Sequence, residues 1–247
     1  MLLNGVRLAS ALAMVAVGVS AASSDLPTNW VVEDGPFVTV EDGRFIDQDG
    51  RQVILRGVNV GEKRSPYLSW HGPREYAQMR GWGFNCIRLL TFWAAIEPEC
   101  GKYNEEYLKD LDQRIKWAKE NGIYVILDMH QDLYGEGIPG GDGAPKWATL
   151  DEGKRHASLG FVWSDAYLVS PKIHAAFDNF WNNSPGPDGV GIQDRFALAW
   201  QHLARRYADE PAVIGFDLLN EPFPGSDVLD AVIATFPVLR QVLTPDS

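Results

Sequence analysis

The sequence predicts an α/β fold in which parallel strands and helices alternate for about four β/α units behind a small N-terminal β-hairpin cap, the sheet either open and doubly wound or closed into a barrel. Apolar runs of strand length alternate with amphipathic helical stretches, and parallel strands need such crossovers to return. Polar residues recur where the apolar runs end, which is how a barrel furnishes one rim. No glycine-rich phosphate fingerprint follows a strand, which counts against the dinucleotide-binding version of the open sheet.

The first 22 residues have the form of a secretory signal peptide: Arg7 closes a short basic region, Leu8 to Val19 is apolar, and Ser20-Ala21-Ala22 offers small residues for cleavage. A membrane anchor is the competing interpretation, but the apolar stretch is shorter than the roughly 20 residues that span a bilayer. Residues 23–247 are then expected to be a single mature segment, secreted and extracellular. Phe37 to Val40, Asp42-Gly43, Phe45-Ile46 and Asp49-Gly50 alternate strand and turn signals and give the hairpin cap.

Val53 to Asn59 is the first barrel strand, its apolar run suited to burial on both faces. A short helix around Arg74 to Arg80 precedes a strand at Cys86 to Leu90. Glu105 to Glu120 carries Leu108, Leu111, Ile115 and Ala118 at helical spacing and is closed by Asn121-Gly122. Tyr124 to Asp128 is the third strand. His130 to about Gly191 is irregular and glycine-rich, but Trp147, Phe161, Trp163 and Trp181 argue for an ordered cleft wall. A helix at Asp194 to Tyr207 leads to a fourth strand, Val213 to Leu219, and to a last helix over Asp227 to Leu243 that Pro237 interrupts.

A formal charge of −11 excludes a phosphate-backbone partner, since nucleic acid demands a basic stripe. The 11% aromatic content suits sugar rings, although a single aromatic is more often a core residue. Two cysteines, Cys86 and Cys100, rule out a disulfide scaffold, and both are expected to be free thiols.

Asn59 and Lys63 follow the first strand, Arg88 lies in the second, His130 and Asp132 follow the third, and Asn220 and Glu221 the fourth. Glu221 is the candidate general acid, because a carboxyl at the end of a buried strand loses solvation and keeps its proton more readily. Asp128, His130 and Asp132 alternate onto one face if their strand persists. Such a row binds a divalent cation or forms a hydrogen-bonding rack for sugar hydroxyls. The rack is favoured, with no metal, because no other strand end is rich in histidine. His71, His156, His174 and His202 are surface or structural.

Five ordered motifs carry a resemblance: Leu55-Arg56-Gly57-Val58-Asn59, Cys86-Ile87-Arg88-Leu89-Leu90, Asp128-Met129-His130-Gln131-Asp132, Gly143-Ala144-Pro145-Lys146-Trp147-Ala148-Thr149 and Leu219-Asn220-Glu221-Pro222. Together they resemble glycoside hydrolase family 5. Ala176 to Trp181, Ala-Phe-Asp-Asn-Phe-Trp, narrows the likeness to its endoglycoceramidase branch, from about Gly35 onward.

The resemblance implies a TIM barrel of glycosidase type and a retaining hydrolase that cleaves the bond between oligosaccharide and ceramide without a cofactor. Glu221 would be the acid/base, Asn220 would hold the sugar 2-hydroxyl, and Arg88 would place the catalytic carboxylates. Lys63, His130 and Asp132 would hydrogen-bond the sugar beside the scissile bond, with Trp181 stacking on it. The nucleophile, a second glutamate at the end of strand seven, would lie past Ser247, so this segment alone is expected to be inactive. The partners expected are a glycolipid or oligosaccharide substrate and, peripherally, a lipid surface or micelle, with no protein partner. Another family 5 β-glycosidase acting on glucans or glucosides is the alternative within the class, and a catalytically dead carbohydrate-binding protein the alternative outside it.

Overall fold

The structure, a computed structural model, describes residues 38–227. The stretches 1–37 and 228–247, with the expected signal segment and the helix interrupted by Pro237, lie outside the described residues.

Strands β1 (Val38–Glu41) and β2 (Arg44–Asp47) pair antiparallel, Val38 opposite Asp47. Asp42 and Gly43 join them at φ 48° and 73°. Two positive φ values in a two-residue loop match the twist of a hairpin, and Asp-Gly tolerates them. The Asp47 carboxylate then organises the next turn by accepting the N–H groups of Asp49 at 3.0 Å and Arg51 at 2.8 Å. The cap is therefore as the Asp-Gly pairs require.

Four strands form one parallel sheet: β3 (Gly57–Val60), β4 (Cys86–Thr91), β5 (Tyr124–Met129) and β6 (Val213–Asp217). Their order in space is their order in the chain. Each strand is added to the same edge, as in a barrel, whereas a doubly wound sheet reverses direction partway. β3 corrects the expected strand from Val53 to Asn59: pairing starts only at Gly57 and runs through Val60, and Gly57, Val58 and Asn59 are exposed. Among the described residues β3 has a neighbour on one side only, so it is not covered as β4 and β5 are.

Helix α1 (Pro73–Gly81) starts with proline at its first turn, where no N–H is needed, and the Glu75 carboxylate accepts the Gly72 N–H at 2.8 Å. A four-residue helix, α2 (Trp93–Ile96), follows β4, and α3 (Glu105–Glu120) has the expected bounds. Asn104 caps α3 by accepting the N–H groups of Glu106 and Tyr107 at 3.1 and 3.2 Å. Its stripe of Leu108, Leu111, Ile115 and Ala118 is buried in one core cluster with Ile87, Leu89, Val125 and Leu127 of the strands. Each such leucine, isoleucine or valine side chain removed from water contributes about 1.5–3 kcal/mol.

The segment read as irregular is more regular than its glycines suggest. It contains α4 (Ala166–Val169) and the eleven-residue α5 (Pro171–Trp181), and α6 (Ile192–Arg206) begins at its end. Ile173, Ala176, Phe177 and Phe180 of α5 are buried at helical spacing. Of the aromatics expected in a cleft wall, Trp147 packs edge-on to Trp93 at 5.2 Å, whereas Phe161 and Trp163 are exposed. Cys86 and Cys100 are free, and burial pushes the Cys86 thiol up to about 11.

Candidate active site

The carboxyl ends of β4, β5 and β6 bring their polar residues together through Arg88. Its Nε and Nη2 donate to Asp217 Oδ2 at 3.0 and 2.7 Å, and Nη2 also donates to Asn220 Oδ1 at 2.9 Å. The same nitrogen lies 2.8 Å from Asp128 Oδ1. That contact is an ion pair rather than an aligned hydrogen bond, since Oδ1 has no hydrogen-bond partner among the described residues. One planar guanidinium thus fixes the ends of two strands and the loop after the second, which a lysine's point charge could not do.

Asp128 is fully buried, and its Oδ2 lies 2.8 Å from His130 Nδ1. Burial raises the Asp128 carboxyl above the ordinary range, against the pull of His130 and Arg88. A carboxylate on Nδ1 makes that nitrogen the donor and turns Nε2 toward the site. His130 Nε2 is buried without a hydrogen-bond partner among the described residues and lies 3.9 Å from Asp132 Oδ2. β5 ends at Met129, so Asp128, His130 and Asp132 come together across the strand end rather than along a continuing strand.

Lys63 pairs directly with Asp132. Asp142, a residue the sequence reasoning left unassigned, completes this group. Its backbone exchanges two hydrogen bonds with that of Asp132, at 2.9 and 3.0 Å, and its Oδ1 accepts the Asp132 N–H at 3.1 Å. Burial, and then the charge of Asp132, push the Asp142 carboxyl up to about 6. Ligand-type atoms of His130, Asp132 and Asp142 lie within 4.8 Å of one another. Lys63 already supplies a cation to this cluster, and a divalent ion would enter against that fixed charge.

Asn220 is held on three sides: its N–H donates to Met129 O at 3.1 Å, its Nδ2 to Gln131 O at 3.0 Å, and its Oδ1 accepts from Arg88. Glu221 follows at φ 43°, a left-handed conformation that L residues adopt at a cost and that is foreign to a residue before proline. Its burial departs from expectation. β6 stops at Asp217, so Glu221 has left the strand by four residues and is exposed. Trp181 Nε1 donates to Phe223 O at 2.8 Å, which places its half-exposed ring beside the same loop.

Of the residues singled out in the sequence, Arg88 and Asn220 are joined directly, Lys63 and Asp132 form a pair, and His130 lies between the two groups. Glu221 lies in the loop that Asn220 opens, and Trp181, at the end of α5, reaches that loop through Phe223 O. Sequence reasoning missed Asp217, Asp142 and Gln131 as members of this constellation. All three lie inside or beside the recognised motifs, but Asp217 and Gln131 meet partners about a hundred residues away, and Asp142 meets Asp132 only because the loop after β5 turns back on itself.

Residues 46–242 match the model of the cellulase family, glycosyl hydrolase family 5. Endoglycoceramidase I of Rhodococcus hoagii is 34% identical over 200 residues, covering 78% of this chain and 39% of that protein. A crystal structure of an endogalactoceramidase superposes with a TM-score of 0.67 at 35% identity, over 77% of this chain and 45% of the other. Endo-glycoceramidase II from Rhodococcus sp., solved as a complex with ganglioside GM3, superposes with a TM-score of 0.64 at 35% identity, over 83% and 49%. The chain spans less than half the length of these relatives. With its parallel sheet in barrel order and its Asn-Glu-Pro loop after β6, the chain belongs to glycosyl hydrolase family 5.

Proposed function

We propose that this chain carries the acid/base half of a retaining glycosidase that separates oligosaccharide from ceramide in glycosphingolipids. The observation that carries the proposal is the joining of Arg88 to Asn220, the residue before Glu221, while Gln131, which lies between His130 and Asp132 in the chain, holds the Glu221 carbonyl. The similarity to endoglycoceramidases supports the choice of substrate.

In the proposed reaction a carboxylate supplied beyond these four strands attacks the anomeric carbon. A bond from that carbon to the carboxylate forms as the glycosidic bond breaks, and the Glu221 proton goes to the departing ceramide oxygen. Glu221, now ionised, takes a proton from water, whose oxygen displaces the carboxylate from the sugar. Asn220 meets the 2-hydroxyl, and His130, Asp132 and Lys63 form a hydrogen-bonding rack for the other hydroxyls. No metal or cofactor enters. Trp181 offers an apolar face for the ring, and the lipid end of the substrate brings the protein to a micelle or membrane surface. The signal-like N-terminus supports secretion, which sequencing the N-terminus of exported protein tests: a start near Ala22 is the expected result.

The central test is Glu221→Gln in the full chain as its gene encodes it, assayed on a ceramide glycoside and a cello-oligosaccharide. Turnover of the ceramide glycoside is expected to fall roughly 10²- to 10⁴-fold with binding retained. Unchanged turnover would remove Glu221 from the acid role. Preference for the cello-oligosaccharide would move the substrate to glucans, and sugar binding without turnover by unsubstituted protein would make it a binding protein.

A further inference from the structure

We infer that Gln131 is the positioning residue for the acid, acting on Glu221 through its backbone. This rests on the proposed role of Glu221 and goes beyond it. Its Nε2 donates to Asn220 O at 2.8 Å and to Glu221 O at 3.1 Å, so one amide group holds both carbonyls that bracket the turn into the left-handed residue. Its own backbone O accepts from Asn220 Nδ2.

The Gln131 amide cannot rotate away from this task. Its Oε1 accepts the Tyr134 N–H at 2.7 Å and lies 3.3 Å from the Tyr167 hydroxyl, which donates to it. The side chain is buried, 3% exposed, and flipping the amide would set its oxygen against two carbonyl oxygens and its NH₂ against an N–H. The loop residue packed on it is Gly143, where a Cβ would fall 2.4 Å from Gln131 Cβ and 2.7 Å from its Cα. Backbone from one side and hydrogen bonds from the other therefore fix one rotamer.

The consequence lies in where the Glu221 carboxyl points. A residue before proline has little intrinsic reason to remain at φ 43°, and an exposed side chain has no packing of its own to aim it. Held carbonyls set the peptide planes on both sides of the Glu221 Cα and so the direction of Cα–Cβ. Gln131 never touches the substrate in this scheme.

A residue that aims a general acid affects departure of a poor leaving group and spares one that leaves without a proton. The test compares a dinitrophenyl and an alkyl β-glycoside of the same sugar, using Gln131→Met, Tyr167→Phe and Glu221→Gln in the full chain, with thermal unfolding recorded for each. Gln131→Met is expected to lower kcat/KM on the alkyl glycoside by ~10- to 100-fold, while the dinitrophenyl glycoside changes by less than about threefold. Tyr167→Phe, which removes the hydroxyl that donates to the Gln131 oxygen and that accepts the Leu133 N–H at 2.7 Å, is expected to show the same asymmetry at about threefold, and it decides the matter if Gln131→Met does not fold. Equal losses on both glycosides, or no loss on either, overturn the assignment of Gln131. If Glu221→Gln itself shows no asymmetry, or unsubstituted protein turns over neither glycoside, the acid role fails first and the assignment falls with it.

Discussion

Asp142→Asn is expected to make the protein more stable at neutral pH, and by an amount that disappears in acid. Asp142 is 6% exposed, and its carboxyl is pushed up to about 6 from an unfolded value of 3.8. Above pH 6 the group is charged in both folded and unfolded chains, and the charge is held in a site that disfavours it. The difference in pKa corresponds to about 3 kcal/mol at 1.36 kcal/mol per unit. Between pH 3.8 and 6 the folded chain holds the proton that the unfolded chain has lost, so stability falls as pH rises through this window. Asparagine keeps Oδ1 as the acceptor for the Asp132 N–H and never charges. Thermal unfolding from pH 4 to pH 8 is the assay. In a chain of this size 1 kcal/mol moves Tm by roughly 2–4 °C, so the variant should melt up to roughly 6–12 °C higher at pH 7.5 and level with the parent near pH 4. Parallel curves across the range, or a variant that melts lower at pH 7.5, would refute the claim that burial of this charge is the cost.

Three further outcomes follow from the same contacts. Arg88→Met leaves buried Asp128 and half-buried Asp217 without their cation; an uncompensated buried pair costs about 3–5 kcal/mol, and partial exposure of Arg88 together with His130 on Asp128 reduces this to about 2–3 kcal/mol. Because the Asp128 carboxyl is already raised, the loss should be greatest at neutral pH and shrink in acid, as unfolding measured at pH 4.5 and 7.5 would show. Asn104→Ala removes the cap of α3 and should cost about 1 kcal/mol, detectable as faster amide exchange at Glu106 and Tyr107. Gly143→Ala puts a methyl group 2.4 Å from Gln131 Cβ on a backbone at φ 116°, and should cost about 2–4 kcal/mol in unfolding free energy while lowering turnover of a ceramide glycoside.

Periodicity and punctuation made most of the scaffold legible. The bounds of α3 follow from its Asn104 cap, its apolar stripe and Asn121-Gly122, all local signals. The hairpin follows from Asp42-Gly43 for the same reason. Helix α5 was obscured because glycine and proline cluster on both sides of it, at 135–145 and at 185–191, so that the whole stretch between the third strand and the next helix reads together as irregular. β3 was overextended because an apolar run shows that a stretch is able to be buried, while its partners determine whether it is. In the site, motif residues were visible and their couplings were not. Arg88 and Asn220 are 132 positions apart, and Gln131 and Glu221 are 90 apart. Glu221 itself was recognised while its setting was misjudged, since the length of β6 decides how far past the strand it stands.

Asp142 shows why a family 5 protein would keep a charge that weakens its fold. Asp128, Asp132, Asp142 and Asp217 are four carboxyls gathered around two cations, Lys63 and Arg88. An excess of negative charge costs stability, and it suits a transition state that resembles an oxocarbenium ion, whose positive charge develops only as the bond breaks. Lowering pH through about 6 therefore acts in opposite directions on the two properties: protonating Asp142 stabilises the fold and removes one negative charge from the site. Asp142→Asn separates them at constant pH. If the field matters, the variant that melts higher at pH 7.5 is also slower on a ceramide glycoside, its loss is in kcat more than in KM, and the rates of parent and variant converge as pH falls below 6.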